Sequence, residues 1–130
     1  MEYEKLMQEA LQAREASYSP YSGFKVGAAL LCKNGKIYAG CNIENGAYGP
    51  SNCAERTAFF KAVSEGEREF AAIAIVGGGD QLQVCYPCGV CRQVMAEFCS
   101  PEFEIICGTE PQQYEKHTLE ELLPKAFFLK

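Results

Sequence analysis

Asn52-Cys53-Ala54-Glu55-Arg56-Thr57-Ala58 is the stretch on which the reading of this sequence turns. Its cysteine opens a segment, Cys53 to Ser64, that predicts a helix, with Gly66 just beyond it as a C-terminal stop. Pro87-Cys88-Gly89-Val90-Cys91 repeats the arrangement: Pro87 opens a second helix running from Cys88 to Phe98. A sulfur at a helix N-terminus is favoured as the anion, because the helix dipole is positive there. Cys88 and Cys91 have helical spacing and share one face of a turn. Cys53, Cys88 and Cys91 are therefore candidate ligands of one metal ion, and Glu55, two residues past Cys53, can reach a water on that ion.

Working outward, Tyr3 to Ala16 places Tyr3, Leu6, Met7, Ala10 and Leu11 on one helical face. Ser17 to Gly23 is turn chemistry and ends that helix. Phe24 to Cys32 predicts a buried strand, Asn34-Gly35 a hairpin turn, and Lys36 to Cys41 the return strand. A Gly, Pro and Asn-rich loop follows from Asn42 to Asn52. Beyond the first cysteine helix, Phe70 to Val76, Phe103 to Cys107 and Tyr114 to His117 predict three further strands. Thr118-Leu119-Glu120-Glu121 fits a capping box for a last short helix. Strands alternating with helices predict an α/β class, with a sheet covered on both faces. No repeat, low-complexity run or linker interrupts the chain, so residues 1–130 are expected to form one domain.

Three thiolates suit zinc, and three protein ligands leave its fourth position open. An open position lets the ion lower the pKa of a bound water, whereas a structural site is closed by a fourth ligand. Three thiolates and Zn²⁺ carry a net −1, which weakens the Lewis acid, and a nearby cation would restore it. Arg56 is three residues after Cys53 on the same helical face; spacing alone leaves it either a donor to sulfur or a surface ion pair with Glu55 or Glu65. Arg92 is the less favoured donor. Cys85 also lies three residues before Cys88, but Pro87 forces Tyr86 toward extended backbone, so Cys85 is expected outside the ligand set.

Composition narrows the partners. The formal net charge is −5, with 12 Lys and Arg scattered among 17 Asp and Glu, so no basic patch for nucleic acid is expected. No stretch is long and apolar enough to span a membrane, and Met1-Glu2-Tyr3-Glu4-Lys5 does not read as a signal peptide. A cytoplasmic setting is expected, where the eight cysteines are thiols or metal ligands. With a single histidine, His117, any metal site must be rich in thiolates. Cys32, Cys41, Cys99 and Cys107 lie in apolar contexts and read as small hydrophobes.

The pairing of Cys-Ala-Glu with Pro-Cys-x-x-Cys matches the signature of zinc deaminases, whose first ligand is His or Cys. With it run Tyr21-Ser22-Gly23-Phe24-Lys25-Val26-Gly27-Ala28-Ala29, Gly40-Cys41-Asn42-Ile43-Glu44-Asn45, Arg92-Gln93 and Glu120-Glu121-Leu122-Leu123-Pro124. In this order, across nearly the whole chain, they resemble the small cytidine deaminases. The resemblance implies a three-layer α-β-α sandwich with a five-stranded mixed sheet in strand order 2-1-3-4-5. It implies one Zn²⁺ per chain, hydrolysis of cytidine and deoxycytidine in pyrimidine salvage, and a homotetramer with active sites at subunit interfaces. It also assigns roles: Glu55 as acid and base, Phe24 packing on the pyrimidine, Asn42 and Glu44 bonding the ribose hydroxyls, and Ala54 meeting the base through its backbone. Gly46 belongs to the same substrate site, Tyr48 and Phe127 reach in from neighbouring subunits, and Arg56 bonds the ligand sulfurs. The chain departs from the family at Tyr86, where Ser is usual and a backbone carbonyl makes the contact. Val90 replaces a common Ala, Gly46 a slightly larger residue, and Gly49-Pro50-Ser51 is an unusual loop.

By residue type alone, several of these positions read otherwise: Phe24 as core, Asn42 as a turn former, Glu44 as a solvated residue, Tyr48 as surface and Phe127 as a tail anchor. His117 reads as a strand-end residue, and Gly77-Gly78-Gly79-Asp80 as a flexible connection without phosphate-loop chemistry. Three rival functions remain. A deaminase of a modified nucleoside or aminopyrimidine antibiotic would share the fold, though Asn42-x-Glu44 favours an ordinary ribose. A non-catalytic zinc domain would leave Glu55 without a duty. An iron–sulfur centre on Cys85, Cys88 and Cys91 lacks the fourth nearby cysteine and following proline such runs carry.

Overall fold

Hydrophobic alternation with period two sets the two faces of the sheet. On β1 (Lys25–Cys32), Ala28, Leu30 and Cys32 face one core, and Ala29 faces the other. The computed structural model describes residues 3–129; Met1 and Glu2 of the N-terminal stretch, and Lys130, lie outside the described residues. Helix α1 (Tyr3–Arg14) buries Leu6, Met7 and Ala10 against the second face. After β1 the Asn34-Gly35 turn returns the chain as β2 (Ile37–Cys41), with Gly35 at φ 95°. Helix α2 (Ala54–Ser64), β3 (Phe70–Gly78), the two-residue β4 (Leu82–Gln83) and helix α3 (Gly89–Phe98) follow. The chain closes with β5 (Glu104–Glu110), β6 (Gln113–Thr118) and the short α4 (Leu119–Leu122). The predicted capping box is present: Thr118 accepts from the Glu121 N–H, and the Glu121 carboxylate accepts from the Thr118 N–H at 2.7 Å.

The strands pair in the order β2-β1-β3-β5-β6, with β4 beside β3. The β3–β5 pair is parallel and the others are antiparallel, so the sheet is mixed. Setting β4 aside, this is the expected order 2-1-3-4-5. The sixth strand departs from the expected five. Two residues carry no alternation to read, and the pairing depends on glycine: Gly78 adopts φ 154°, and a Cβ there would stand 2.2 Å from the Gln81 carbonyl oxygen. The expected flexible connection at Gly77-Gly78-Gly79-Asp80 is thereby corrected. Gly77 and Gly78 end β3, and Arg14 clamps the Gly78 and Gly79 carbonyls at 2.9 and 3.2 Å.

Helices α2, α3 and α4 cover the first face and α1 the second, giving three layers. Beneath α2, Phe59 is fully buried among Phe70, Phe98 and Phe103, its ring 5.2 Å from that of Phe70. Such edge contacts add about 0.5–1.5 kcal/mol each beyond the area they bury. They anchor the helix whose first residues carry the site.

Candidate active site

Both cysteine helices begin one residue later than the spacing predicts. Cys53 and Cys88 are the N-cap residues of α2 and α3, with extended backbone at φ −78°, ψ 155° and φ −68°, ψ 167°. Pro87 therefore precedes the cap rather than opening the helix. The shift has a geometric consequence: an N-cap side chain and that of the third helical residue lie on the same side of the first turn, close enough to meet. Cys88 and Cys91 stand in that relation, and Cys53 meets them from α2.

The three sulfurs lie within 4.8 Å of one another. Zinc–sulfur bonds of about 2.3 Å in a tetrahedron separate the sulfurs by roughly 3.8 Å. Cys53 Sγ and Cys88 Sγ stand 3.8 Å apart. Arg56 Nη2 donates to Cys53 Sγ at 3.3 Å, and Arg56 Nε is buried without a partner among the described residues. A cation held against the sulfurs offsets the surplus charge of three thiolates, so the donor set fits zinc. Cys53 is held well below its ordinary pKa by the hydrogen bond from Cys91, and further by Arg56, while burial opposes both. Cys91 is pushed up by that same shared hydrogen bond and by burial. Cys85 stands outside the cluster, its thiol donating to the Gln83 carbonyl at 3.3 Å. Arg92 does not serve the sulfurs: its Nε and Nη1 donate to the Pro87 and Leu122 carbonyls, each at 2.7 Å.

Glu55, on the first turn of α2, is 4% exposed. Burial pushes its carboxyl up to about 7, with the Cys53 charge adding to the effect; its own backbone N–H and Arg56 pull the other way. Glu55, Cys53, Cys88, Arg56 and Ala54 line a cavity of about 370 Å³ together with Phe24, Asn42 and Glu44. The loop from Asn42 to Asn52 brings these groups together. Its ends are closed by reciprocal backbone hydrogen bonds between Ile43 and Asn52 at 2.9 Å, so Glu44 is carried back beside Cys53.

The polar groups of that loop are held by their own chain. Asn42 Oδ1 accepts from Ser17 Oγ at 2.5 Å and from the Val26 N–H at 2.9 Å, and Asn42 Nδ2 donates to the Phe24 carbonyl at 2.8 Å. One amide N–H of Asn42 has no partner among the described residues. Glu44 Oε1 accepts from the Tyr21 and Ser22 N–H groups at 3.0 and 3.2 Å, and Ser22 Oγ donates to Oε2. The Ser22 hydroxyl above all keeps the Glu44 carboxyl below its usual range. Ser22 is a cavity residue the sequence reading did not single out. Nothing local to Ser22 announces a carboxylate far along the chain. Tyr86, noted above only as a departure, and Cys85 also form part of the wall.

Gly46, Tyr48, Cys91 and Phe127 are not on the cavity wall. Cys91 is buried behind it. Gly46 lies against Tyr21, whose hydroxyl would stand 2.9 Å from a Cβ at that position. Tyr48 is 78% exposed at φ 64°, a backbone conformation that costs a bulky residue energy, and lines a neighbouring depression that shares Ser22, Glu44 and Ser51 with the cavity. Phe127 is 67% exposed, its carbonyl accepting from Gln93 Nε2 at 2.9 Å. His117 is a strand residue bonded to Glu115 and lies outside the cysteine cluster.

A family model for the cytidine and deoxycytidylate deaminase zinc-binding region matches residues 1–107. The chain is 54% identical to a cytidine deaminase of Sporosarcina psychrophila over 98% of its own length and 92% of the relative's. It is 52% identical to a cytidine deaminase of Halalkalibacterium halodurans, over 98% of this chain and 95% of that one. The crystal structure of a cytidine deaminase from Burkholderia pseudomallei, 47% identical, superposes with a TM-score of 0.90 over 98% of this chain and all of that one. The thiolate cluster, the buried carboxyl beside it and these likenesses agree, and this chain belongs to the cytidine deaminase family of zinc-dependent hydrolytic enzymes.

Proposed function

We propose that this chain converts free cytidine and deoxycytidine to uridine and deoxyuridine, releasing ammonia, as a cytoplasmic enzyme of pyrimidine salvage. The observation that carries the reading is one cavity lined by Glu55, two cysteines of the thiolate cluster, Asn42 and Glu44. Its volume, about 370 Å³, falls within the range of small-molecule sites. Residues 1–130 act as one catalytic domain, and the acidic chain, net charge −5, disfavours nucleic acid.

Cys53, Cys88 and Cys91 would hold zinc, which would supply Lewis-acid activation of a water for addition at ring carbon 4. Glu55 takes one proton of that water and passes it to ring nitrogen 3; once the oxygen is bonded to carbon 4, Glu55 takes its remaining proton and gives it to the departing amine, so that the carbon–nitrogen bond breaks and ammonia leaves as the carbonyl forms. A carboxyl that burial brings near neutrality both accepts and returns a proton at pH 7. Arg56 offsets the thiolate charge. Phe24 packs on the pyrimidine, and the Ala54 backbone meets its polar edge. At the sugar, the free N–H of Asn42 donates to a hydroxyl that in turn donates to Glu44. One such hydroxyl suffices, which is why deoxyribose is accepted as well as ribose.

Gly46 belongs to the sugar-side loop. Tyr48 and Phe127 serve a neighbouring subunit in a homotetramer. Their exposure, with that of Tyr21, Phe128 and Leu129, leaves apolar surface that a partner copy would cover. Ammonia release from cytidine, deoxycytidine and a cytidine-containing oligonucleotide tests the reading, with sedimentation at assay concentration. Turnover of both nucleosides by a tetramer, and none of the oligonucleotide, is expected. Activity confined to cytidine, or a fully active monomer, would refute the corresponding part.

A further inference from the structure

Residues 84–88 carry Cys85 and Tyr86 to the cavity wall and Cys88 to the thiolate cluster, yet they belong to neither helix nor strand. Such a segment holds its place only through fastenings to better-ordered neighbours. Cys85 donates to the Gln83 carbonyl, two residues back, and packs partly buried against the core. Pro87 accepts from Arg92 on α3. The Pro87 ring is fully buried, and a further fastening runs to the sheet: Tyr86 Oη donates to Glu115 Oε1 on β6 at 2.8 Å. That same oxygen is 2.9 Å from His117 Nε2, and the His117 ring meets the Tyr86 ring edge-on at 5.9 Å. Glu115 therefore joins the segment to β6, and His117 keeps the carboxylate in place. His117 and Tyr86 both hold the Glu115 carboxyl below its ordinary range, so the acceptor is anionic at neutral pH.

We propose that Tyr86 is a positioning residue: latched to Glu115 and through it to His117, it fixes the cavity wall against which the pyrimidine lies. The inference rests on the reading of the cavity as the nucleoside site. Tyr86 is two residues before Cys88, so this part of the wall borders the base rather than the sugar. The latch acts on substrate placement, not on proton transfer, because Glu55 sits on α2 and is held by that helix.

The test compares Tyr86→Phe, Glu115→Ala, their double variant and Glu115→Gln, all as zinc-loaded protein. Tyr86→Phe keeps the ring and removes the bond, Glu115→Ala removes the acceptor, and Glu115→Gln retains an acceptor oxygen. A solvent-exposed hydrogen bond is worth about three- to tenfold, the ordinary net scale, so KM for cytidine and the inhibition constant of uridine should both rise by that factor in Tyr86→Phe and Glu115→Ala. The kcat should stay within about twofold, since no group that moves a proton is touched. The double variant should be no worse than the single ones, and Glu115→Gln should restore most of the loss. Unchanged KM, additive effects, or a fall in kcat accompanied by loss of zinc would overturn the latch. Glu55→Gln, run alongside, judges the cavity itself: if it turns over normally the site reading fails, whatever the latch variants show.

Discussion

Arg56 Nη2 lies 3.3 Å from Cys53 Sγ, one turn along the same helix, and the guanidinium is sunk far enough that its Nε has no partner among the described residues. A partly buried cation is costly unless paired, and here the partner is a sulfur of the cysteine cluster. The arrangement ties the charge of the thiolate cluster to one arginine.

Arg56→Ala should therefore weaken zinc retention and activity by about 10–100-fold, as loss of groups that support metal ligands generally does. Arg56→Lys should recover only part, because an ammonium lacks the planar fork. Zinc content during titration with a chelator, read beside the deamination rate, decides the matter. Undiminished retention in Arg56→Ala would assign the residue to packing alone.

Glu55→Gln should keep zinc and the fold while kcat falls by about 10²–10⁴, the contribution typical of acid–base catalysis. The amide is nearly isosteric, so a buried position tolerates it. Single-turnover rates with cytidine and elemental analysis of the same sample check both halves. Near-normal turnover would falsify the proton-transfer role.

Among the cysteines, Cys88→Ser and Cys91→Ser should each lose zinc and activity. Cys85→Ser should keep one zinc per chain and most of the rate, since its thiol is bonded to the Gln83 carbonyl and not to the cluster. Metal loss in Cys85→Ser would show that the ligand set is wrong.

Ser22→Ala removes the hydroxyl that bonds Glu44 Oε2 and lets that carboxyl rise toward its ordinary pKa, while the Tyr21 and Ser22 N–H groups still hold Oε1. KM for cytidine and deoxycytidine should rise together by about threefold to tenfold, the ordinary net scale of an exposed hydrogen bond. Because the group is depressed when folded, the effect should be largest at low pH, where an unanchored Glu44 protonates first. A KM profile from pH 5 to 8 measures it; a change in kcat alone, with KM constant, would place Ser22 outside sugar recognition.

What the residues alone could state were the local features. Asn34-Gly35 marks a hairpin, Thr118 to Glu121 a capping box, and Cys53, Cys88 and Cys91 a thiolate set at two helix starts. Each signal sits within a few residues, because turns, caps and helical faces are short-range. The strand order came from family likeness and not from periodicity. Ser22 beneath Glu44, Tyr86 on Glu115 and the short β4 against the glycine end of β3 were decided by the tertiary structure. These contacts join segments that lie side by side only after the sheet has formed, so spacing along the chain holds no trace of them. The same holds for the proton on Glu55: the sequence offered a helix N-terminus and Arg56 to lower its pKa against an unknown burial. The folded structure, by packing protein around the carboxyl, decided for burial.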